Sequence, residues 1–149
     1  MLVRVRHSTA LAVTLVDFAG LVSRADFAAL DEAMAAAADQ ERLADQLLLF
    51  APLTAFDPDA AEGFSAYAKT LVEHQVAAVA VSFALIGSDL GAKAALDAWA
   101  RQFPPGKACR IVASAFGDWK AAAAWTGLDE AGIAAIADAQ DFRVLYRTA

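Results

Sequence analysis

The stretch Leu47-Leu-Leu-Phe-Ala51, followed by Pro52, decides the fold class of this chain. It is a continuous apolar run of strand length, which is typical of a strand buried on both faces of a sheet. Proline ends such a strand because it has no backbone N–H to donate to a neighbouring strand. A second apolar run, residues 76–83, predicts another buried strand. We therefore expect a central strand at residues 47–51.

Predicted strands and helices alternate outward from this run. Residues 2–7 and 10–16 alternate apolar with polar or small side chains, which predicts two strands joined in an antiparallel hairpin. Ser23 and Asp26 fit a capping box at the start of a helix. The other predicted elements are helices ending near His74, Pro104, Trp125 and Ala139, and strands over residues 108–114 and from Phe142 to Arg147. This order predicts an α/β fold: a mixed, mostly parallel sheet of four to six strands, with the hairpin at its edge and helices packed mainly on one side.

Length, composition and charge limit the classes of function. The 149 residues suit one domain over 1–149, and the net charge of −6 argues against binding to nucleic acid. The longest apolar run is well short of the ~20 residues that cross a bilayer as a helix. The amino terminus lacks the apolar region of a secretory signal, so we expect a cytoplasmic protein. The lone Cys109 agrees with a reducing compartment.

No catalytic or metal-binding pattern is recognisable in the sequence. His7 and His74 are the only imidazole bases, and neither has a catalytic motif around it. Asp57 and Asp59 are more simply helix-capping residues than metal ligands. The turn at residues 87–91 follows a strand and opens a helix, yet lacks the glycine spacing of a phosphate loop. We therefore expect a protein that is not an enzyme and that has no cofactor.

Aromatic side chains are the candidates for an apolar ligand pocket, since such pockets are built from these residue types. Packing in the core is the alternative for each of them, because most lie at strand positions or on helical stripes. The candidates are Phe56, Phe64, Tyr67, Trp119 and Trp125.

Two segments resemble the SpoIIAA-like bacterial proteins of the STAS and Sec14-type group. One is Val76-Ala-Ala-Val-Ala-Val-Ser82 with the helix that carries Trp99 after it, and the other runs from Cys109 to Gly127. The second segment contains Ala122-Ala-Ala-Trp125, similar to the A-x-x-W-L ending of the family, although Thr126 replaces the leucine. The resemblance covers about residues 2–127. Residues 128–149 are then a carboxyl-terminal extension beyond it.

The resemblance implies a four- or five-stranded sheet, frequent dimers and no established enzymatic chemistry. STAS-type members carry a phosphorylatable serine in a D-S-S-G turn, whereas Sec14-type members bind lipids. The corresponding turn here, residues 50–57, lacks that motif, and Thr54 is its only hydroxyl. Leu53 and Phe56 in this turn fit a binding surface or the mouth of a pocket, or equally a lid packed on the core.

Two functions are therefore expected from the sequence. The first is a non-enzymatic module that binds a small apolar or lipid-like ligand. The alternative is a regulatory protein-interaction module of the STAS type without the phosphorylated serine. The alternating segment from Phe142 to Arg147 would pair with the sheet edge of its own chain or with that of a partner, and the latter would give a homodimer.

Overall fold

The computed structural model describes residues 2–42, 44–51, 54–73, 78–83, 110–111, 119–138 and 142–148. The strands in these ranges are β1 (Leu2–Ser8), β2 (Val13–Ala19), β3 (Leu21–Val22), β4 (Asp45–Phe50), β5 (Ala55–Phe56), β6 (Ala78–Phe83), β7 (Arg110–Ile111) and β8 (Arg143–Arg147). The helices are α1 (Arg24–Ala35), α2 (Asp39–Arg42), α3 (Ala60–Glu73), α4 (Trp119–Trp125) and α5 (Glu130–Ala137). The predicted helix ending at Pro104 lies outside the described residues.

The main sheet has the strand order β7-β6-β4-β2-β1-β8. Strands β2, β4, β6 and β7 are parallel to one another, whereas β1 is antiparallel to both β2 and β8. The α/β class is confirmed, with β4 in the interior of the sheet. The sheet is mixed rather than mostly parallel, because β1 is antiparallel to both of its neighbours. The expected antiparallel hairpin is present as β1 and β2. Its expected position at the edge of the sheet is wrong, since β8 lies outside it.

The hairpin turn lies later in the chain than the sequence pattern indicated. Strand β2 covers Val13–Ala19 instead of residues 10–16, and residues 9–12 form the connection. Ala12 has a φ of +51°, a left-handed conformation that cannot continue a strand. Gly20, with a φ of +83°, ends β2 before the short strand β3. Apolar alternation runs through this whole segment, so alternation alone did not locate the turn.

Apolar residues on the two faces of the sheet form two separate cores. We name these layers the α1/α3 face and the α4/α5 face, after the helices that cover them. The α1/α3 face contains Val3, Val5, Val16, Phe18, Leu48 and Phe50 from the strands, with Phe27, Leu30 and Met34 from α1 and Tyr67 and Leu71 from α3. The α4/α5 face contains Leu15 and Leu47 from the strands, with Ala123 and Ile136 from the helices. The expectation of helices mainly on one side is therefore wrong.

Helix α1 begins at the predicted capping box. The Asp26 carboxylate accepts hydrogen bonds from the Ser23 backbone N–H at 2.7 Å and from the Ser23 hydroxyl at 2.9 Å. Gly63 of α3 lies against this helix, because a Cβ atom there would be 2.7 Å from the Phe27 ring. The absence of a side chain at residue 63 therefore allows α1 and α3 to pack closely.

Strand β8 joins the carboxyl-terminal segment to the amino-terminal strand. Arg147 is paired with Arg4, and Arg143 is paired with His7. A bulge lies between these pairs, where the register shifts between Val5 and Arg6 and Leu145 of β8 is the extra residue. The segment from Phe142 to Arg147 thus pairs within its own chain, which was one of the two outcomes expected from the sequence.

A substitution at Phe18 tests the α1/α3 core. Its ring stacks on Phe50 at a centroid distance of 4.6 Å and lies 5.5 Å from the Phe27 ring. We expect Phe18→Leu to lower the free energy of unfolding by about 1–2 kcal/mol, because it removes both ring contacts and leaves a small void. Urea denaturation measures this change. Leu21→Ala is the control, since Leu21 is 53% exposed, and equal losses in the two variants would contradict this account of the core.

Candidate functional site

Two of the expected ligand-binding residues, Tyr67 and Phe56, lie at opposite ends of a continuous row of packed aromatic rings. Tyr67 is fully buried with its ring 6.1 Å from Phe27, and Phe56 is half-buried with its ring 5.4 Å from Phe50. Phe18 connects the two halves of the row. The structure therefore uses Tyr67 and Phe56 in packing and does not bring them together around a pocket.

The other expected ligand-binding residues stay predictions. Leu53 lies outside the described residues. The structure places the backbone of Phe64 in α3 and that of Trp119 and Trp125 in α4. Thr54 is 2% exposed, and its hydroxyl donates to the Ala51 carbonyl at 2.6 Å.

A groove of about 380 Å³ lies between the carboxyl end of α1 and strand β8. We call it the α1–β8 groove. Small side chains form the wall on the α1 side, and strand residues form the opposite wall. Its lining residues are Ala33, Ala36, Ala37, Ala38, Glu41, Arg143, Val144, Leu145 and Tyr146. The groove therefore combines an alanine wall, formed by the end of α1 and the turn after it, with the outermost described strand on its side of the sheet.

Buried polar groups lie at the Glu41 end of this groove. The Glu41 carboxylate, 5% exposed, accepts a hydrogen bond from the Ala38 backbone N–H at 3.0 Å and forms an ion pair with Arg143. The Thr14 hydroxyl donates to the Glu41 carbonyl at 3.1 Å and lies 3.0 Å from His7 Nδ1. Because this hydroxyl has a single proton to donate, His7 Nδ1 is the donor in the second contact.

Arg143, His7 and Thr14 belong to one row of side chains that crosses four strands on the α1/α3 face. The strand registers place Arg143 opposite His7, His7 opposite Thr14, and Thr14 opposite Gln46. We call Arg143, His7, Thr14 and Gln46 the polar row. Tyr67 donates a hydrogen bond to Gln46 Oε1 at 2.5 Å, which supplies a partner for this buried amide.

Burial shifts the pKa values of two groups in or beside the polar row. The pKa of His7 lies below its usual value of 6.5, first because the ring is buried and second because Arg143 is close. The imidazole is therefore neutral at pH 7. Burial also raises the pKa of Tyr67, and the Asp31 carboxylate raises it further. Tyr67 is thus a hydrogen-bond donor at every ordinary pH.

Arginine side chains share the opposite face of β1 and β8. Asp17 accepts hydrogen bonds from Arg4 at 3.3 Å and from Arg6 at 3.1 Å. Arg147 lies on this face because it is directly opposite Arg4, and Val144 lies there because it is opposite Arg6. Among the described residues, Arg147 has no ion-pair partner. We call Arg4, Arg6 and Arg147 the arginine face.

Comparisons with protein-family models, curated proteins and solved structures found no match for this chain. The resemblance to SpoIIAA-like proteins stays a prediction. None of the described helices is long and apolar enough to span a membrane. In the same part of the chain, no group of three His, Cys, Asp or Glu side chains is placed to hold a metal ion.

Sequence reasoning did not find the α1–β8 groove or the polar row. The ion pair between Glu41 and Arg143 joins residues far apart in the chain, and Glu41 lies in a segment that looks like an ordinary polar connection. The one available signal was the alanine run over residues 35–38, which was interpreted as part of a helix. In the structure α1 ends at Ala35, and the rest of the run lines the groove.

The hydrogen bond to Gln46 predicts a stability cost for removing the Tyr67 hydroxyl. We expect Tyr67→Phe to lower the free energy of unfolding by about 1–3 kcal/mol, because a buried amide oxygen loses its donor. Urea denaturation at neutral pH measures the loss. Tyr146→Phe is the matched control on a half-buried tyrosine and should change stability little. Equal effects of the two substitutions would show that the bond to Gln46 contributes nothing.

The lowered pKa of His7 predicts a pH dependence of stability. The unfolded chain binds a proton near pH 6.5, whereas the folded chain binds it only at lower pH. The contribution of His7 to the free energy of unfolding is therefore fully present above pH 6.5. It is lost as the pH falls toward the folded-state pKa. Guanidine denaturation of the wild type and of His7→Gln measures it between about pH 7.5 and about pH 5.5. We expect the wild type to lose more stability on acidification, and parallel pH profiles would contradict this assignment.

Proposed function

We propose that this protein is a protein-interaction module that binds an extended segment of a partner along the outer edge of β8. The position of β8 carries this proposal. It is the last strand of the main sheet, and β1 is its only neighbour among the described strands. A strand at the edge of a sheet presents a row of backbone donors and acceptors to a further strand.

The α1–β8 groove supports this reading. It runs beside the edge of β8, so a strand added there would place every second side chain against Ala33, Ala36 and Ala37. Val144, which is 53% exposed on the other face, adds apolar surface at the same edge. Backbone pairing would supply affinity, and the groove would select side chains.

The sequence-based expectation of an apolar or lipid-like ligand has less support. Tyr67 and Phe56 pack within the core, and the α1–β8 groove includes the charged pair of Glu41 and Arg143. A purely apolar ligand would meet this ion pair at one end of the groove. A peptide, which has polar backbone groups along its length, suits such a mixed lining better.

A second copy of the chain is a less favourable occupant of the edge. Pairing of β8 with its own copy would gather four arginines, Arg143 and Arg147 of each copy, along one strand pair. Charged side chains on an edge strand oppose such edge-to-edge pairing. The charges of β8 therefore favour a different partner sequence.

Selection from a random peptide library displayed on phage tests this proposal. We expect enriched peptides to bind the wild type and to lose binding to Ala36→Trp, because the large side chain fills the groove from an exposed position. Ala28→Trp is the matched control, since Ala28 is exposed on α1 outside the groove. Fluorescence anisotropy with labelled peptides measures the affinities.

Two outcomes would overturn the proposal. The first is a selection that enriches no peptide, or only peptides that bind Ala36→Trp as tightly as the wild type. The second is a dimer in native mass spectrometry that Val144→Lys dissociates, since this would assign the edge to a second copy. Val144 is exposed, so lysine there should leave the fold intact.

A further inference from the structure

We infer that the partner segment alternates acidic residues with small apolar residues, and that Arg147 selects the acidic ones. This inference rests on the proposed function and specifies the chemistry of the same site. It follows from the difference between the two faces of β8. One face borders the α1–β8 groove, and the other belongs to the arginine face.

The groove side of β8 is apolar and narrow. Leu145 and Tyr146 pack against the core on this side, and the facing wall consists of alanine side chains. Arg143, at the Glu41 end, is already paired with the Glu41 carboxylate. A partner residue on this side would therefore contact methyl groups and an ion pair in which the two charges already neutralise each other. Alanine or valine fits this space, whereas a carboxylate would lose its hydration without gaining a free cation.

The opposite side of β8 carries the basic Arg147 together with the exposed Val144, beside Arg4 and Arg6 of β1. Arg4 and Arg6 share the single carboxylate of Asp17, and Arg147 has no ion-pair partner among the described residues. Three arginines and one aspartate leave an excess of positive charge here, although the whole chain has a net charge of −6. Arg147 also lies directly opposite Arg4, a like-charge pair that an added carboxylate would relieve.

The geometry of a strand connects these two sides to a sequence pattern. Successive side chains of an extended segment point to opposite faces, so alternate residues of an added strand meet the groove and the arginine face. The partner residue beside Arg147 is therefore one of the acidic residues of the pattern. A shift of the partner by one residue would exchange the two sets of side chains and place carboxylates in the alanine-lined groove. The two faces thus set the register of the partner as well as its composition.

Three synthetic seven-residue peptides with blocked ends test this inference by fluorescence anisotropy. The first alternates aspartate or glutamate with alanine or valine. The second replaces each acid by its amide, and the third has the composition of the first with all acids in one block. We expect the first peptide to bind at least about fivefold more tightly than the other two, which corresponds to roughly 1 kcal/mol for an ion pair at a partly exposed site.

Arg147→Glu should remove the preference for the acidic peptide over its amide form, and Arg147→Lys should retain most of it. Arg24→Glu is the matched control, because Arg24 is an exposed arginine on α1 outside the groove and the arginine face. This control should leave the preference unchanged. Raising the ionic strength should weaken the acidic peptide selectively, since screening acts on the exposed charges.

The results separate this inference from the proposed function. Equal binding of the acidic and amide peptides, or a preference that survives Arg147→Glu, would overturn the inference and leave the proposed function standing. If only peptides from the random library bind in the groove and none of the three does, the inference also fails by itself. If no peptide of either origin binds, both fail. A preference for the alternating acidic peptide that depends on Arg147 would support both.

Discussion

Burial of the central strands on both faces is the constraint on which the rest of the fold depends. Leu15 and Val16 of β2 point to opposite faces and are both fully buried, as are Leu47 and Leu48 of β4. A fully buried leucine or valine side chain contributes about 1.5–3 kcal/mol relative to an exposed one. Neither face of β2 or β4 can therefore be left open to water. This requirement accounts for the helical layers on both sides of the sheet.

The polar row limits how far this apolar burial extends. Its residues occupy the α1/α3 face one step beyond the layer formed by Val5, Val16 and Leu48, and two of its members depend on partners outside the sheet. Glu41 accepts from Thr14, and Tyr67 donates to Gln46. A register slip in these strands would leave the polar side chains without those partners, so the row helps to specify the strand alignment. It also determines where the apolar core ends and the α1–β8 groove begins.

The sequence was informative where local patterns decide the structure. The buried run ending at Phe50, the capping box at Ser23 and the stripe through Phe27 on α1 were all recognisable, because each depends on neighbours within a few residues. The placement of helices on both faces was not, since strand periodicity does not tell which helix covers which face. The polar row was equally inaccessible, because Thr14 and Gln46 become neighbours only after a crossover. The groove was missed for the same reason, as its two walls come from distant parts of the chain.

The link between the two chain ends has a mechanical consequence. The Val3 backbone N–H donates to the Thr148 hydroxyl at 2.9 Å, and the Thr148 N–H donates to the Val3 carbonyl at 3.0 Å. Because β1 and β8 are antiparallel, a pulling force applied at these two residues acts across the strands and not along them. It would break the hydrogen bonds between β1 and β8 one after another, starting at Val3. Tension between Val3 and Thr148 would therefore separate β8 from β1 at low force. The parallel strands would not bear this force directly.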